Sequence, residues 1–264
     1  MIREWSVVVR IGVLVSILAL SGCYQPEPKP SITGEESKVA LPPAQMPPAQ
    51  HVLVGRSVKG RPIMVQILGR GGDTTLIMGA IHGNESAGTI MVEQLSEYLR
   101  SNPRLLDGRR VVLLPCANPD GAAAKTRENL HGIDLNRNFE ASNRVNSETN
   151  GHSALTEPEA QALQKIIKDY SPSRIVSIHQ PLTCIDFDGP ARALATRMAQ
   201  YCDLPIKKLG AKPGSLGSFT GEELKIPTIT LELPESAANA GAAALWEQYG
   251  RSVVAAITYP EHPL

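Results

Sequence analysis

In the stretch GAIHGNESAG, a histidine, His82, closes an apolar run, and an acid, Glu85, follows three residues later. Imidazole nitrogen and carboxylate oxygen are the donors a catalytic zinc takes, three from the protein with one position left for water. His82 and Glu85 supply two, and the natural candidate for the third is His179, which ends the apolar run SRIVSIH. Either histidine alone reads as a hydrogen-bonded structural residue. A further acid changes the weighing: Glu232 stands in the otherwise apolar run TITLELP. A buried carboxylate without a partner is expensive, so Glu232 is expected to face a site, an ion or a cation. Beside an activated water it would take the proton during attack and return it to a leaving amine. The competing reading is an ion pair that closes the core.

A second polar group lies in GIDLNRNF, which brings Asp134, Asn136 and Arg137 close together. Arginine matches a carboxylate with two parallel hydrogen bonds, and a neighbouring amide adds donors. Alone, this motif would read as a loop salt bridge. Beside the zinc candidates it reads as a grip on a substrate carboxylate.

The elements that must position these residues are legible as short apolar runs. Thr74 to Ile81, Arg109 to Ala117, Ser173 to Ile178 and Pro227 to Leu233 read as buried strands, apolar throughout and bounded by Gly, Pro or Asn. The segment from Ser57 to Gly69 is expected to be a hairpin at an edge. Between them, residues 84–100 carry Val92, Leu95 and Leu99 on one helical face with Asn84 as a candidate cap. Residues 156–170 open with Thr156 and Glu159 in capping-box spacing, ahead of Leu163, Ile166 and Ile167. Two more helical segments, 189–202 and 237–257, continue the series. The alternation predicts a three-layer α/β/α sandwich with a mixed, mostly parallel central sheet. His82, Asn118 and His179 each follow one of these strands and Glu232 lies near the end of the fourth, the sheet edge where ligand sites collect.

The 26 basic residues balance the 26 acidic ones among 264, so no basic face argues for nucleic acid. Aromatics are 4%, which leaves Ile, Leu, Val and Ala to build the core. At the N-terminus, Arg3 and Arg10 precede the run IGVLVSILAL, and Ser21 and Gly22 lead into Cys23. That is the pattern of an export signal, and the run is short for the ~20 residues of a membrane span. From Tyr24 to Gln50 lie seven of the chain's 21 prolines and few large apolar residues, the composition of an extended tether. After export Cys116, Cys184 and Cys202 remain. Cys184 and Cys202 are the candidate disulfide, and Cys116 reads as a buried thiol.

In chain order, HGNE, NPDG, DLNRNF, SIHQ and TLELP resemble the zinc carboxypeptidases of the M14 type, over about His51 to Pro234. The resemblance implies one zinc per chain held by His82, Glu85 and His179, with Glu232 as general base and acid. It also implies that Asn136 and Arg137 hold the substrate's terminal carboxylate. Asp134 would orient His82, and Arg127 in KTREN would polarise the scissile carbonyl. The region from Leu204 to Glu232 holds no tyrosine, only Phe219, where the family usually offers a phenol. HQPLTCIDFDGP and the stretch from Pro213 to Pro234 are most similar to the branch of murein peptide amidases. That branch implies hydrolysis of the γ-D-glutamyl to meso-diaminopimelate bond of peptidoglycan peptides.

LSGC, Leu20 to Cys23, resembles a lipoprotein lipobox. It implies a signal peptide over 1–22, an acylated Cys23 heading a tether over 23–50, and a catalytic domain over 51–264. The expected address is the periplasmic face of a bacterial membrane, the outer one favoured, with the membrane reached through Cys23. No protein partner is inferable. Two other readings stand beside this one: an aspartoacylase or succinylglutamate desuccinylase-like zinc deacylase, and a non-catalytic wall-binding lipoprotein of the same fold.

Overall fold

A computed structural model describes residues 49–260. The signal peptide, Cys23 and nearly all of the expected tether lie outside the described residues. Gln50, the tether's expected last residue, already belongs to the first strand.

Seven strands form one sheet: β1 (Gln50–Arg56), β2 (Pro62–Gly69), β3 (Asp73–Gly79), β4 (Arg109–Leu114), β5 (Arg174–His179), β6 (Leu182–Asp188) and β7 (Thr228–Pro234). Their spatial order is β1-β2-β4-β3-β5-β7-β6. The central run β4-β3-β5-β7 is parallel, while β1, β2 and β6 pair antiparallel at the two flanks. The expected mixed sheet is present. The hairpin is shifted, however: its first strand is β1, and Ser57 to Arg61 form the turn, where Ser57 Oγ accepts from the Arg61 N–H at 3.0 Å.

Helices α1 (Ala87–Ser101), α2 (Pro119–Ala124), α3 (Pro158–Tyr170), α4 (Arg192–Ala199), α5 (Ala242–Leu245) and α6 (Arg251–Thr258) complete the layers. One core lies between the sheet and α1, α4 and α6, around Ile77, Val176, Ile185, Phe187, Ile229 and Leu231. The opposite core packs Leu76, Met78, Val112 and Ile175 against α3 and the loop residue Phe139. Two caps differ from expectation. Ser86 precedes α1 without a side-chain cap bond, so Asn84 does not cap it. Glu157 precedes α3, and Glu159 does not reach back; its carboxylate accepts from Val58 N and Asn129 Nδ2. Thr156 instead accepts a bond from Asn138. Tertiary partners took the side chains that local capping would have used.

All three described cysteines are free, which corrects the expected Cys184–Cys202 pairing. The reason is the sheet itself. Ile185 and Phe187 of β6 point into the α1/α4/α6 core, so Cys184 points to the other face, while Cys202 packs against that same core.

Candidate active site

The end of β3 is pinned before His82 is reached. Ala80 takes a left-handed backbone, φ 49, which costs a non-glycine residue about 1 kcal/mol. It is held there because Gly79 O accepts from Ala117 N at 3.1 Å and Ala80 O accepts from Asn118 N at 2.9 Å. Asn118 is therefore a brace: its side chain caps α2 by accepting from Gly121 N and donates to Ile81 O. Gly83 follows from close approach, since a Cβ there would sit 2.0 Å from the Gly121 carbonyl carbon. The chain then turns into α1 with Glu85 beneath His82.

His179 is the last residue of β5, two strand positions past Ser177 on the same face. His82 Nδ1 lies 2.7 Å from Glu85 Oε1, and His179 Nδ1 lies 2.9 Å from Glu85 Oε2 and 3.2 Å from His82 Nδ1. One donor atom from each of the three residues falls within 4.8 Å of the others, and all three side chains are buried. The outer nitrogens are also accounted for. His82 Nε2 meets Asp134 Oδ1 at 3.2 Å, and His179 Nε2 meets Ser177 Oγ at 2.9 Å. Binding the far nitrogen in this way turns each Nδ1 lone pair inward, the arrangement metal-ligating histidines need. Two imidazoles and one carboxylate facing inward fit a zinc ion with one position for water.

Electrostatics follow from these contacts. Burial opposes charge on His82, but hydrogen bonds to Asp134 and Glu85 overcome it and raise its pKa. Burial likewise works against the Glu85 anion, yet the two histidines hold its pKa down at about 2. Asp134 also stays below the usual carboxylate range despite burial, through His82, Arg127 and Arg137. Glu232 behaves oppositely: burial pushes its carboxyl up, with a single Leu182 N–H at 3.2 Å and the two histidines pulling against it.

Glu232 pairs with His179 in the register of β5 and β7, and both line one cleft with His82, Glu85, Arg127, Asn136 and Arg137. Every residue expected to bind metal or substrate or to carry the chemistry is therefore on the cleft wall, and Asp134 stands directly behind His82. Arg127 forks onto Asp134 Oδ2 through Nε at 3.2 Å and Nη2 at 3.0 Å, and its Nη1 lies 3.5 Å from Glu85. Asn136 Oδ1 accepts from Leu216 N at 2.9 Å, which leaves its NH2 as the donor. Phe219 is not in the cleft; it stacks on Phe139 in the core at 6.1 Å. No tyrosine lines the cleft among the described residues.

Four positions escaped the sequence reading: Ser177, Gln180, Asp186 and Asp188. Gln180 presents its backbone N–H to Glu85 Oε2 at 3.2 Å and accepts from Ala87 N at 3.2 Å, tying β5 to the start of α1. Asp186 and Asp188 line the cleft from β6, a strand not expected. The alternation in LTCIDFD was the available signal.

Residues 44–187 match the zinc carboxypeptidase family, peptidase M14. Murein peptide amidase A of Escherichia coli (strain K12) is 35% identical over 199 residues, covering 68% of this chain and 79% of that protein. Its counterpart in Vibrio campbellii is 34% identical over 209 residues, 70% of this chain and 79% of that one. Among solved structures, murein-tripeptide amidase from Escherichia coli O157 superposes with a TM-score of 0.59 at 26% identity, over 84% of this chain and 97% of that one. Bovine thrombin-activatable fibrinolysis inhibitor shares the fold, with a TM-score of 0.68 at 17% identity over 79% of this chain and 88% of its own.

Proposed function

Because the chain belongs to the zinc carboxypeptidase family, peptidase M14, we propose that it is a zinc-dependent hydrolase of peptidoglycan peptides that cuts the γ-D-glutamyl to meso-diaminopimelate bond. One observation carries this reading. The buried His82, Glu85 and His179 cluster, Glu232 and Arg137 share one cleft in a chain similar to murein peptide amidase A over two thirds of its length.

His82, Glu85 and His179 would hold the zinc, which when bound supplies a Lewis acid that polarises a carbonyl and makes a water acidic. Asp134 and Ser177 keep the two rings oriented by holding their Nε2 atoms. Glu232 is the proton carrier: its carboxylate accepts the proton of the attacking water and hands it to the amine that departs. Its raised pKa suits both halves of that task, since burial brings base and conjugate acid closer in energy. Arg137, with the NH2 of Asn136, is placed to receive the carboxylate of the residue released. Arg127, fixed by Asp134, faces the cleft where an oxyanion would develop.

The test is incubation of the zinc-loaded protein with L-Ala-γ-D-Glu-meso-diaminopimelate, products read by mass. Free diaminopimelate and the dipeptide L-Ala-D-Glu are expected. An intact tripeptide after prolonged incubation with protein of full zinc content sinks the assignment.

The same reading extends to the N-terminus. Export, acylation of Cys23 and attachment to the periplasmic face of the outer membrane are supported by the basic residues, apolar run and LSGC stretch. That address puts a peptidoglycan hydrolase beside its polymer. Cell fractionation decides it: the intact chain should sediment with outer membrane, and Cys23→Ala should not be acylated. Recovery of the unaltered chain in the cytosol would overturn this part.

A further inference from the structure

The chain enters the sheet at the end away from the cleft. Gln50 pairs with Ile67 near the end of β2, and Gly69 at that end pairs with Arg110 at the start of β4. β3 and β4 run parallel from Asp73 and Arg109 toward the metal ligands. Six strand steps of about 3.3 Å therefore put this foot roughly 20 Å below the cleft. A recess of about 450 Å³ opens at the foot, lined by Gln50, Arg70, Arg110 and Tyr170, with Val52 and Ile67 as its apolar part.

The recess is basic and lacks a counter-ion. Arg110 is half-buried and Arg70 exposed, and neither has a hydrogen bond or ion pair among the described residues. Their backbones are fixed. Arg110 lies in the ladder with Gly69, and Gly71 N donates to Arg109 O at 3.0 Å on the other side of Arg70. Gly69 itself has φ 73, and a Cβ there would stand 2.2 Å from the Arg109 carbonyl oxygen, so the turn presenting Arg70 is closely packed. Lys168 adds an exposed cation in the last turn of α3, just before Tyr170. The nearby acids are engaged: Asp73 meets Arg174 at 2.7 Å, and Asp169 pairs with Lys165. Asp107 follows Leu106, which packs into the core on the other face of the sheet. Two guanidiniums without an acid, beside an apolar strip, suit an anion that carries an oily part.

We propose that Arg70 and Arg110 seat the phosphate of an anionic phospholipid headgroup, so that the foot of the domain lies on the membrane and the cleft faces away from it. The claim rests on the export and acylation reading above and deepens it. The 27 residues from Tyr24 to Gln50 would link the acylated Cys23 to the wall of this recess. At about 3.1 Å per residue a Pro-rich leash of that length reaches roughly 80 Å, too far to decide which end of the domain meets the lipid. Tethering does hold the domain at high effective concentration over the bilayer, so a weak headgroup site suffices to orient it. Each arginine near an anionic surface adds to that attraction.

The test uses the chain from residue 23 with Cys23→Ala, so that no acyl chain contributes. Its partitioning is measured on vesicles of phosphatidylcholine alone and of an equal mixture with phosphatidylglycerol. Binding to the mixed vesicles should be at least about 10-fold stronger and should weaken as salt rises. Arg70→Ala and Arg110→Gln should each lower it about 5-fold. Lys59→Ala, which removes the same charge from the turn at the cleft end of the β1–β2 hairpin, should leave it unchanged. Circular dichroism checks that each variant is folded. Equal partitioning on both vesicles overturns the seat, as does an equal loss in Lys59→Ala. Calorimetric binding of glycerol 1-phosphate without vesicle binding would leave a site for soluble phosphate and overturn the membrane seat. Vesicle binding that appears only with Glu35→Gln and Glu36→Gln would give the recess to the chain's own acids and overturn it too. Because the acyl chains are absent, none of these results bears on Cys23 acylation, which fractionation tests separately.

Discussion

Glu85 and Glu232 are buried glutamates on one cleft, and their surroundings drive them apart. Two imidazoles press Glu85 down to about 2, so it stays an anion and a ligand. Glu232 has one backbone N–H and a desolvated site, so its proton is easier to keep. Such divergence between neighbouring acids marks their roles. Glu232→Gln should therefore keep zinc and peptide binding yet lower kcat by at least about 100-fold, the usual worth of general base catalysis. Single-turnover rates with metal content measured on the same sample check this, and a variant with full zinc and near-normal rate would remove Glu232 from the proton step. Arg137→Lys should act on the other side of the ledger. Losing the paired N–H fork while keeping the charge should raise KM about 10-fold or more, with kcat changed less.

At the scale of elements, the site depends on how closely α1 crosses the end of β3. A Cβ on Gly79 would stand 2.4 Å from the Gly88 carbonyl carbon, a collision of backbone with backbone that no rotamer relieves. Gly79→Ala should cost about 1–3 kcal/mol, the range for overpacking a tight core, and should also tilt Glu85 away from His82. Denaturation midpoint and zinc affinity, measured together, would show both losses; unchanged affinity would mean the crossing does not set the ligand spacing. The four central strands and the principal helices were legible because their apolar runs and 3.6-residue faces are decided by burial alone. What was not legible depended on partners. Thr156 and Glu159 have capping-box spacing, but Asn138 and Asn129 claim their side chains. The metal ligands were readable as residue types at strand ends. Asp186 and Asp188 were not, because their strand β6 lies at the sheet edge and its short alternation, LTCIDFD, carries acids where a buried run would carry apolar residues.

At the scale of the whole molecule, the polar face of β5, β7 and β6 is a place where the protein gives up stability. Asp188 is the clearest case, a nearly inaccessible carboxylate whose Oδ1 has no partner and whose pKa is raised to about 6. The sign of its linkage is opposite to that of a salt-bridged acid. Its folded pKa exceeds the unfolded value near 3.9, so between those values the native state binds more protons, and stability falls as pH rises through this window. Above about pH 6 the full penalty is present, about 2–3 kcal/mol at 1.36 kcal/mol per pKa unit, an order-of-magnitude figure. Asp188→Asn removes the titrating group. The variant should be more stable than the unaltered protein at pH 7, and the two should converge as pH falls from 6 toward 4. Urea denaturation at several pH values measures this directly, with the metal held constant because zinc binding shifts apparent stability by mass action. A variant that is less stable than the parent at pH 7, or a gap that widens toward pH 4, would mean that Asp188 is satisfied in the folded protein.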